Sequence, residues 1–255
     1  MPDRTTVDEI FESVSPRYDL ANRILSLGLD LRWRRQAVLL AEIGEGMRVM
    51  DLCCGSGDMA FSAVSAVGTR GYVCGYDSVE AMLERARAKW ETMYRKYHFP
   101  KELAEFKQGD CEKLNRPDRL FDAATCAFGI RNATNISRFI ESTCGNLRRG
   151  GKVVILEFSL PRNFFFRMVA LGYLIIVVPI LGWMITGKLR EYRYLSDSIR
   201  TFSRDIDLSK MLMDAKFTNV RAIPLSGGIV TVYVGEKSTF SQVTSPQKPY
   251  FPELR

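Results

Sequence analysis

Histidine is nearly absent from this sequence: His98 is the only one in 255 residues. That argues against histidine-based triads and multi-histidine metal sites, and His98, which follows the charged helical stretch Glu80 to Tyr97, reads as a solvated helix-end residue. The six cysteines show no repeated C-x-x-C spacing: Cys53 and Cys54 are adjacent, while Cys74, Cys111, Cys126 and Cys144 stand alone. No metal is expected from such a set, whose members read as small buried apolar residues in a reducing compartment. Internal repeats are missing, and no secretory signal opens the chain, since Met1 to Arg4 is polar and charged and an amphipathic helix follows. Long blocks of one charge are missing too. The net charge of +7 is spread along the whole length, which weakly favours an anionic surface, nucleic acid or acidic lipid, without choosing between them.

What the sequence does contain is a strand, loop and helix start at Met47 to Ala60, reading Met-Arg-Val-Met-Asp-Leu-Cys-Cys-Gly-Ser-Gly-Asp-Met-Ala. Gly55-x-Gly57-x-x-Ala60 fits a dinucleotide fingerprint formally, because glycine lets the backbone turn sharply and approach a ligand. Asp58 argues against that reading, since a pyrophosphate would sit at the N-terminus of the next helix and a carboxylate there would repel it. Asp51 and Asp58 around the loop suit a cation instead. S-adenosylmethionine offers a sulfonium and an amine without a phosphate, and Asp77, at the end of a second apolar strand, stands at the spacing of an acid that accepts both ribose hydroxyls. The alternative is that Asp77 and Ser78 only cap the helix that follows.

Strand and helix then take turns. The pattern predicts strands at Val49 to Cys53, Tyr72 to Tyr76, Ala104 to Lys107, Asp122 to Ala127 and Val153 to Phe158, with helices at Met59 to Val67, Val79 to Tyr97 and Ile136 to Leu147. That alternation implies a doubly wound parallel sheet in one α/β domain. Before it, Thr6-Val7-Asp8-Glu9 fits a capping box for a helix ending near Val14, and Leu31 to Glu42 repeats apolar residues at helical spacing. After it, Val220 to Pro224 and Ile229 to Gly235, joined through Gly227-Gly228, read as an antiparallel hairpin closing the sheet edge. A polar tail from Ser238 to Arg255 carries three prolines and reads as unstructured. Ligands in such sheets bind beyond the carboxyl ends of the strands where strand order reverses. Asp51 to Asp58, Asp77, Asp110 with Cys111, Ala127 to Asn132 and Glu157 to Ser159 all fall there. Asp110 can accept from an adenine amino group, with Met82 and Phe128 as walls for the ring; the other reading of Asp110 is an ordinary loop acid.

Met168 to Gly187 holds twenty residues without a formal charge, bracketed by Arg162, Arg167, Lys188 and Arg190. The length meets the criterion for a membrane span. Gly172, Pro179 and Gly182 interrupt it, however, and a single crossing would separate the fifth strand from the hairpin that must join the same sheet. A buried or interfacial helix pair is expected instead, forming an apolar wall over the substrate side and dipping into lipid between its basic flanks. An apolar lid implies an apolar substrate.

Several ordered motifs resemble the ubiquinone/menaquinone biosynthesis C-methyltransferase family over Phe11 to Gly235. They are Phe11-x-x-Val14-x-x-x-Tyr18-Asp19 with Asn22, Leu25-Ser26-Leu27-Gly28 and Trp33; the loop Asp51 to Asp58; Phe128-Gly129-Ile130-Arg131-Asn132; Leu156-Glu157-Phe158-Ser159; and Tyr192-Arg193-Tyr194-Leu195-x-x-Ser198-Ile199-Arg200. The resemblance implies a class I Rossmann-like methyltransferase, α/β with a seven-stranded mostly parallel sheet and an antiparallel C-terminal hairpin. Its expected parts are an N-terminal helical cap over 1–46, a cofactor core over 47–160, an apolar helical lid over 161–202, and a helix and hairpin over 203–237. It implies S-adenosylmethionine as methyl donor to a ring carbon of a prenylated quinol, with cofactor positions carried over to Ser56, Asp77, Asp110, Cys111 and Ala127. With the loop geometry, the expected cofactor set is Asp51, Gly55, Ser56, Gly57, Asp77, Ser78, Met82, Asp110, Cys111 and Ala127. The sequence departs from the common pattern at Cys54-Gly55-Ser56-Gly57, where Gly-Gly-Thr-Gly is frequent, and the double-cysteine form resembles the plastid and cyanobacterial naphthoquinone branch. Asp110-Cys111 replaces a frequent Asn-Ala, Ala127 a frequent serine, and Tyr233 a histidine whose role does not carry over.

Carbon methylation needs an electron-rich ring, which deprotonation of a hydroquinone supplies. Arg131 is the first candidate to stabilise the phenolate, because a permanently charged guanidinium lowers a nearby hydroxyl pKa; Asn132 is expected to orient the second ring oxygen, and Tyr194 or Tyr18 to bond the head group or close the pocket. The other reading of Arg131 is a structural ion pair. Demethylmenaquinol is the expected substrate, with a benzoquinol or a phylloquinone-type naphthoquinol as alternatives. A small-molecule or RNA methyltransferase shares the cofactor pocket, but RNA recognition favours a basic stripe with exposed aromatics, and the aromatics of the lid region stand beside leucine, isoleucine and valine, so no nucleic-acid partner is expected. A non-catalytic membrane-associated protein on the same fold is the other rival. The expected location is cytoplasmic, or the stromal or matrix side of an organelle, with peripheral membrane contact and a possible homodimer.

Overall fold

A computed structural model describes residues 4–239; the reading of 240–255 as an unstructured tail lies outside the described residues. At its centre is β1 (Arg48–Leu52), whose last four residues are all buried, as expected of a strand covered on both faces. It pairs in parallel with β2 (Tyr72–Asp77) on one side and β4 (Phe121–Ala127) on the other. Beyond these lie β3 (Ala104–Gln108) and β5 (Leu147–Phe158), also parallel. The last strand, β7 (Val230–Lys237), inserts antiparallel between β5 and the edge strand β6 (Phe217–Leu225), giving the order β3-β2-β1-β4-β5-β7-β6. The expected seven strands and C-terminal hairpin are present, and strand order reverses between β1 and β4.

Alternate residues of the strands feed two cores. Val49, Val73, Ala123 and Val154 pack under α3 (Leu29–Leu40), α4 (Asp58–Val67) and α5 (Glu80–Tyr97). Met50, Cys74, Ala124 and Val153 pack under α6 (Ile136–Asn146), α9 (Leu189–Asp205) and α10 (Leu208–Asp214). The cysteines are free, and four of them are buried. A third, small cluster joins α1 (Arg4–Val14) and α2 (Tyr18–Leu25) to the apolar segment through Val14, Ala21, Val178 and Tyr192.

Two expectations are corrected. β5 begins at Leu147, six residues before the predicted start, with a register shift against β4. The apolar segment is one helix rather than a pair: α7 (Phe164–Gly172) continues through a π turn, Tyr173–Val177, into α8 (Val178–Thr186). Val178 N–H reaches back five residues to Tyr173 O, which widens the backbone just before Pro179 and lets the helix pass a residue with no N–H. Gly182 does not break the helix either. It makes room for a neighbour, since a Cβ there would lie 2.2 Å from Cγ of Tyr192 on α9. The apolar helix of 23 residues is about 34 Å long, and its lipid-like side chains are largely exposed, Phe164 at 78% and Met184 at 68%.

Candidate active site

The loop after β1 turns on three left-handed residues, Cys53, Gly55 and Gly57, the last of which starts α4. It is tied to the end of β2 through one carboxylate: Asp77 accepts from Gly55 N–H at 2.8 Å and from Val79 N–H at 3.0 Å. Burial pushes the Asp77 pKa up while those two N–H groups pull it down, and each oxygen keeps a second lone pair. The cap and the ligand-acceptor readings of Asp77 are thus compatible, because the same side chain can do both.

A cavity of about 90 Å³ opens at the carboxyl ends of the strands. Of the expected cofactor residues, Gly55, Asp77, Ser78, Met82, Asp110, Cys111 and Ala127 line it, as do Asn132 and Tyr18 from the expected head-group set. A Cβ on Gly55 would meet Met82 Cε at 3.2 Å, so glycine keeps this wall of the cavity clear.

Asp51, Ser56 and Gly57 lie behind that surface. Asp51 is fully buried and accepts from Thr125 Oγ1 at 2.7 Å; burial pushes its pKa up to about 7. Ser56 donates to Asp19, and the backbone at Gly57 packs against Phe61, which leaves no room for a Cβ. Asp58, expected beside Asp51 as a seat for a cation, is already paired with Lys89 and with Arg23 at 3.3 Å. Lys89 and Arg85 also hold Asp19, whose pKa falls because its bonds to Ser56, Lys89 and Arg85 outweigh the effect of burial. The acids that line the cavity are therefore Asp8, Asp77, Asp110 and Glu112 rather than Asp51 and Asp58. Helix α1 covers this side: Arg4 pairs with Asp110, Asp8 accepts from Ser78 Oγ at 2.7 Å, and Val7 and Phe11 complete the wall. The sequence reading names an N-terminal cap over 1–46 but does not assign Arg4, Val7, Asp8 or Phe11 to the cavity; the signal for those contacts is the charged face of the first helix.

Across the switch point, the short helical turn Ile130–Asn132 carries the expected head-group residues. Arg131 is buried and does not line the cavity; its Nη1 donates to Phe128 O and to Glu157 Oε1 at 2.8 Å. Burial pushes Glu157 upward against the pull of that guanidinium. The ion-pair reading of Arg131 is therefore satisfied. Asn132 Oδ1 accepts from Tyr194 OH on α9 at 3.0 Å, which brings Tyr194 to the same edge. Burial raises the pKa of both Tyr18 and Tyr194, and the charge on Arg131 works in the other direction on each. Phe128 has φ +61°, an uncommon conformation for an aromatic residue, and its ring stacks on Phe158 at 4.4 Å with Trp33 edge-on to both.

The chemistry of this lining suits S-adenosylmethionine. Four carboxylates, Asp77 and Asp110 among them, with a glycine-cleared wall and the Met82 side chain suit a cationic nucleoside. Comparison with known proteins agrees. The model of the ubiE/COQ5 methyltransferase family matches residues 2–237. A Geobacter sp. (strain M21) protein named ubiquinone/menaquinone biosynthesis C-methyltransferase UbiE is 38% identical over 229 residues, 89% of this chain and 94% of its own. The protein of that name from Geotalea uraniireducens (strain Rf4) is 33% identical over 231 residues, 91% and 96% of the two chains. A putative S-adenosyl-L-methionine-dependent methyltransferase from Methanococcus maripaludis superposes with a TM-score of 0.63 over 91% of this chain and 95% of its own at 11% identity, which shows a shared fold. The chain belongs to the ubiE/COQ5 methyltransferase family, and its cofactor is S-adenosylmethionine.

Proposed function

We propose that this methyltransferase C-methylates a prenylated quinol, converting demethylmenaquinol to menaquinol. The observation that carries the reading is the Asn132–Tyr194 hydrogen bond at the edge of the cofactor cavity, set beside the buried cation of Arg131. The names of the relatives supply the substrate class, and the double-cysteine loop favours the naphthoquinol ring over the benzoquinol. S-adenosylmethionine, when bound, supplies an electrophilic methyl group. The rest falls to the chain. The cation of Arg131 lowers the pKa of a ring hydroxyl and so raises electron density at the adjacent carbon. Asn132, steadied by Tyr194, holds a ring oxygen, and Tyr18 closes the pocket from α2. Methyl transfer then rests on alignment and exclusion of water.

The same reading places the enzyme on a membrane surface, where its substrate would reside. Phe164, Phe165, Phe166, Trp183 and Met184 are exposed on one helix, with Arg162, Arg167, Lys188 and Arg190 at its ends to meet anionic head groups. The helix lies along lipid rather than through it, because the charged α9 packs on it through Tyr192 and Gly182.

Labelled S-adenosylmethionine offered with a short-chain demethylmenaquinol, and with the matching benzoquinol in parallel, tests the reaction. Product from the naphthoquinol alone is expected; product from the benzoquinol alone moves the enzyme to ubiquinone synthesis, and label in neither removes the quinol reading. Sedimentation with vesicles containing phosphatidylglycerol tests the membrane face. Phe165→Asp with Trp183→Asp should abolish it, and undiminished binding by that variant would refute the assignment.

A further inference from the structure

A second cavity, of about 480 Å³, lies past the ends of β5 and β6 and is absent from the cofactor site described above. Its apolar walls come from Phe158, Leu160, Phe202, Ile206, Ala222 and Pro224. Phe158 is also half of the aromatic stack whose other half, Phe128, lines the cofactor cavity. One pair of rings 4.4 Å apart is therefore a wall common to the two cavities. At the other side the second cavity is lined by Arg162 and Asn163, and the exposed Phe164, Phe165 and Phe166 follow directly in the chain. The cavity thus lies between that shared wall and the exposed apolar surface that begins at Phe164.

Several of its polar groups are committed to the protein. Ser159 Oγ bonds Gly228 O and Thr231 Oγ1, both at 2.8 Å, and Asn163 Oδ1 accepts from Phe166 N–H to cap α7. Ser203 Oγ on α9 is buried with no hydrogen-bond partner. Ser203 and Arg162 aside, its lining offers a ligand contact and little hydrogen bonding, so it favours an apolar chain. Its size is apt: a dry apolar cavity of about 150 Å³ takes a six-carbon ring, so this one has room for roughly three five-carbon units.

We propose that this cavity binds the isoprenoid chain of the substrate, with the first units beside Phe158 and the remainder leaving past Asn163 toward lipid. The assignment rests on the quinol reading given above. It makes chain length, and not only the ring, a determinant of affinity, because the units nearest the ring are held by protein before the chain reaches the membrane.

Ala222→Trp, on the open edge strand, fills the cavity from one side, and Ser203→Leu narrows it from the other. Both are assayed in the full-length protein against demethylmenaquinols with one and with four isoprene units. Each variant is expected to lower kcat/KM for the four-unit quinol at least tenfold, through KM, and to leave the one-unit quinol within twofold. Equal loss on both quinols, or none on the four-unit quinol, overturns the proposal. Equilibrium dialysis with labelled farnesol, which has the chain and no ring, separates this inference from the choice of ring. Binding by the wild type that Ala222→Trp abolishes supports the cavity assignment even if neither quinol is methylated, and absence of binding by the wild type overturns it.

Discussion

Arg131 and Glu157 form a pair in which structure and chemistry can be separated by experiment. Their side chains are 5% and 0% exposed, with nitrogen and oxygen 2.8 Å apart. Glu157→Gln leaves the guanidinium charged in a site that water does not reach, and removing one partner of a buried pair costs about 3–5 kcal/mol. Because a domain has only about 5–15 kcal/mol to lose, this variant should lie near the edge of folding, with its urea midpoint far below that of the wild type. Replacing the pair together, Arg131→Met with Glu157→Leu, removes both charges and the desolvation they carried, so stability should return to near the wild-type value. Turnover should not return. A nearby cation shifts an acid by about 1–3 pKa units, so loss of Arg131 should slow methyl transfer by roughly 10- to 1000-fold with S-adenosylmethionine affinity unchanged. Urea denaturation, calorimetric titration of the cofactor and the labelled-methyl assay read the three quantities separately. A stable double variant with turnover within threefold of the wild type would refute the phenolate role, and a Glu157→Gln variant as stable as the wild type would refute the buried-pair argument.

Asp51, raised from 3.8 to about 7 by burial, should make stability depend on pH. The native state holds its proton more tightly than the unfolded state, so the contribution is full below about pH 4 and is lost as pH rises through 7. The span of about three units sets a ceiling of ~4 kcal/mol, and Asp51→Asn should flatten the difference between urea unfolding at pH 5 and at pH 8; an unchanged slope would mean that another group sets it. Gly182→Ala puts a methyl group into the Tyr192 ring and should cost about 1–3 kcal/mol by forcing α8 away from α9, and a Tm equal to the wild type would contradict that contact. Arg4→Ala releases Asp110 from a partly exposed ion pair and should tighten S-adenosylmethionine binding by up to about fivefold. Weaker binding in calorimetry would instead place Arg4 against the cofactor.

The alternating core was legible because its strands are short apolar runs separated by amphipathic helices. The predicted starts at Tyr72 and Ala104 coincide with the observed ones, and those at Val49 and Asp122 differ by one residue. Arg148-Arg149-Gly150-Gly151 hid the first part of β5, since two charges and two glycines signal a turn while the backbone there continues in the sheet. Gly172, Pro179 and Gly182 misled for a related reason: residue type reports local cost, and here a π turn and a packed tyrosine offset that cost. At the site, the residues at strand ends were legible, because the topology puts such ends together. The ties among Asp19, Arg23, Asp58, Arg85 and Lys89 were not, since they join α2, α4 and α5 across 31 to 70 positions and no periodicity signals them.

That network and the aromatic stack solve one positioning problem from two sides. The proposed methyl transfer requires the cofactor loop after β1 and the turn after β4 to keep a fixed separation, and the two strands that carry them are neighbours at the switch point. The backbone makes the connection tight: Cys53 and Phe128 both leave their strands with positive φ, and a Cβ on Gly129 would come within 2.5 Å of Cys53 Cβ. On the cofactor side, Ser56 and Asp58 are held by charges from α2 and α5. On the substrate side, Phe128 is held by its stack on Phe158 and by Arg34 over its ring, while Arg131 bonds the Phe128 carbonyl. Two strained turns at adjacent strand ends would relax if either support were weak. On the proposed reading, the cap helices and β5 therefore set how far the reacting carbon stands from the methyl donor.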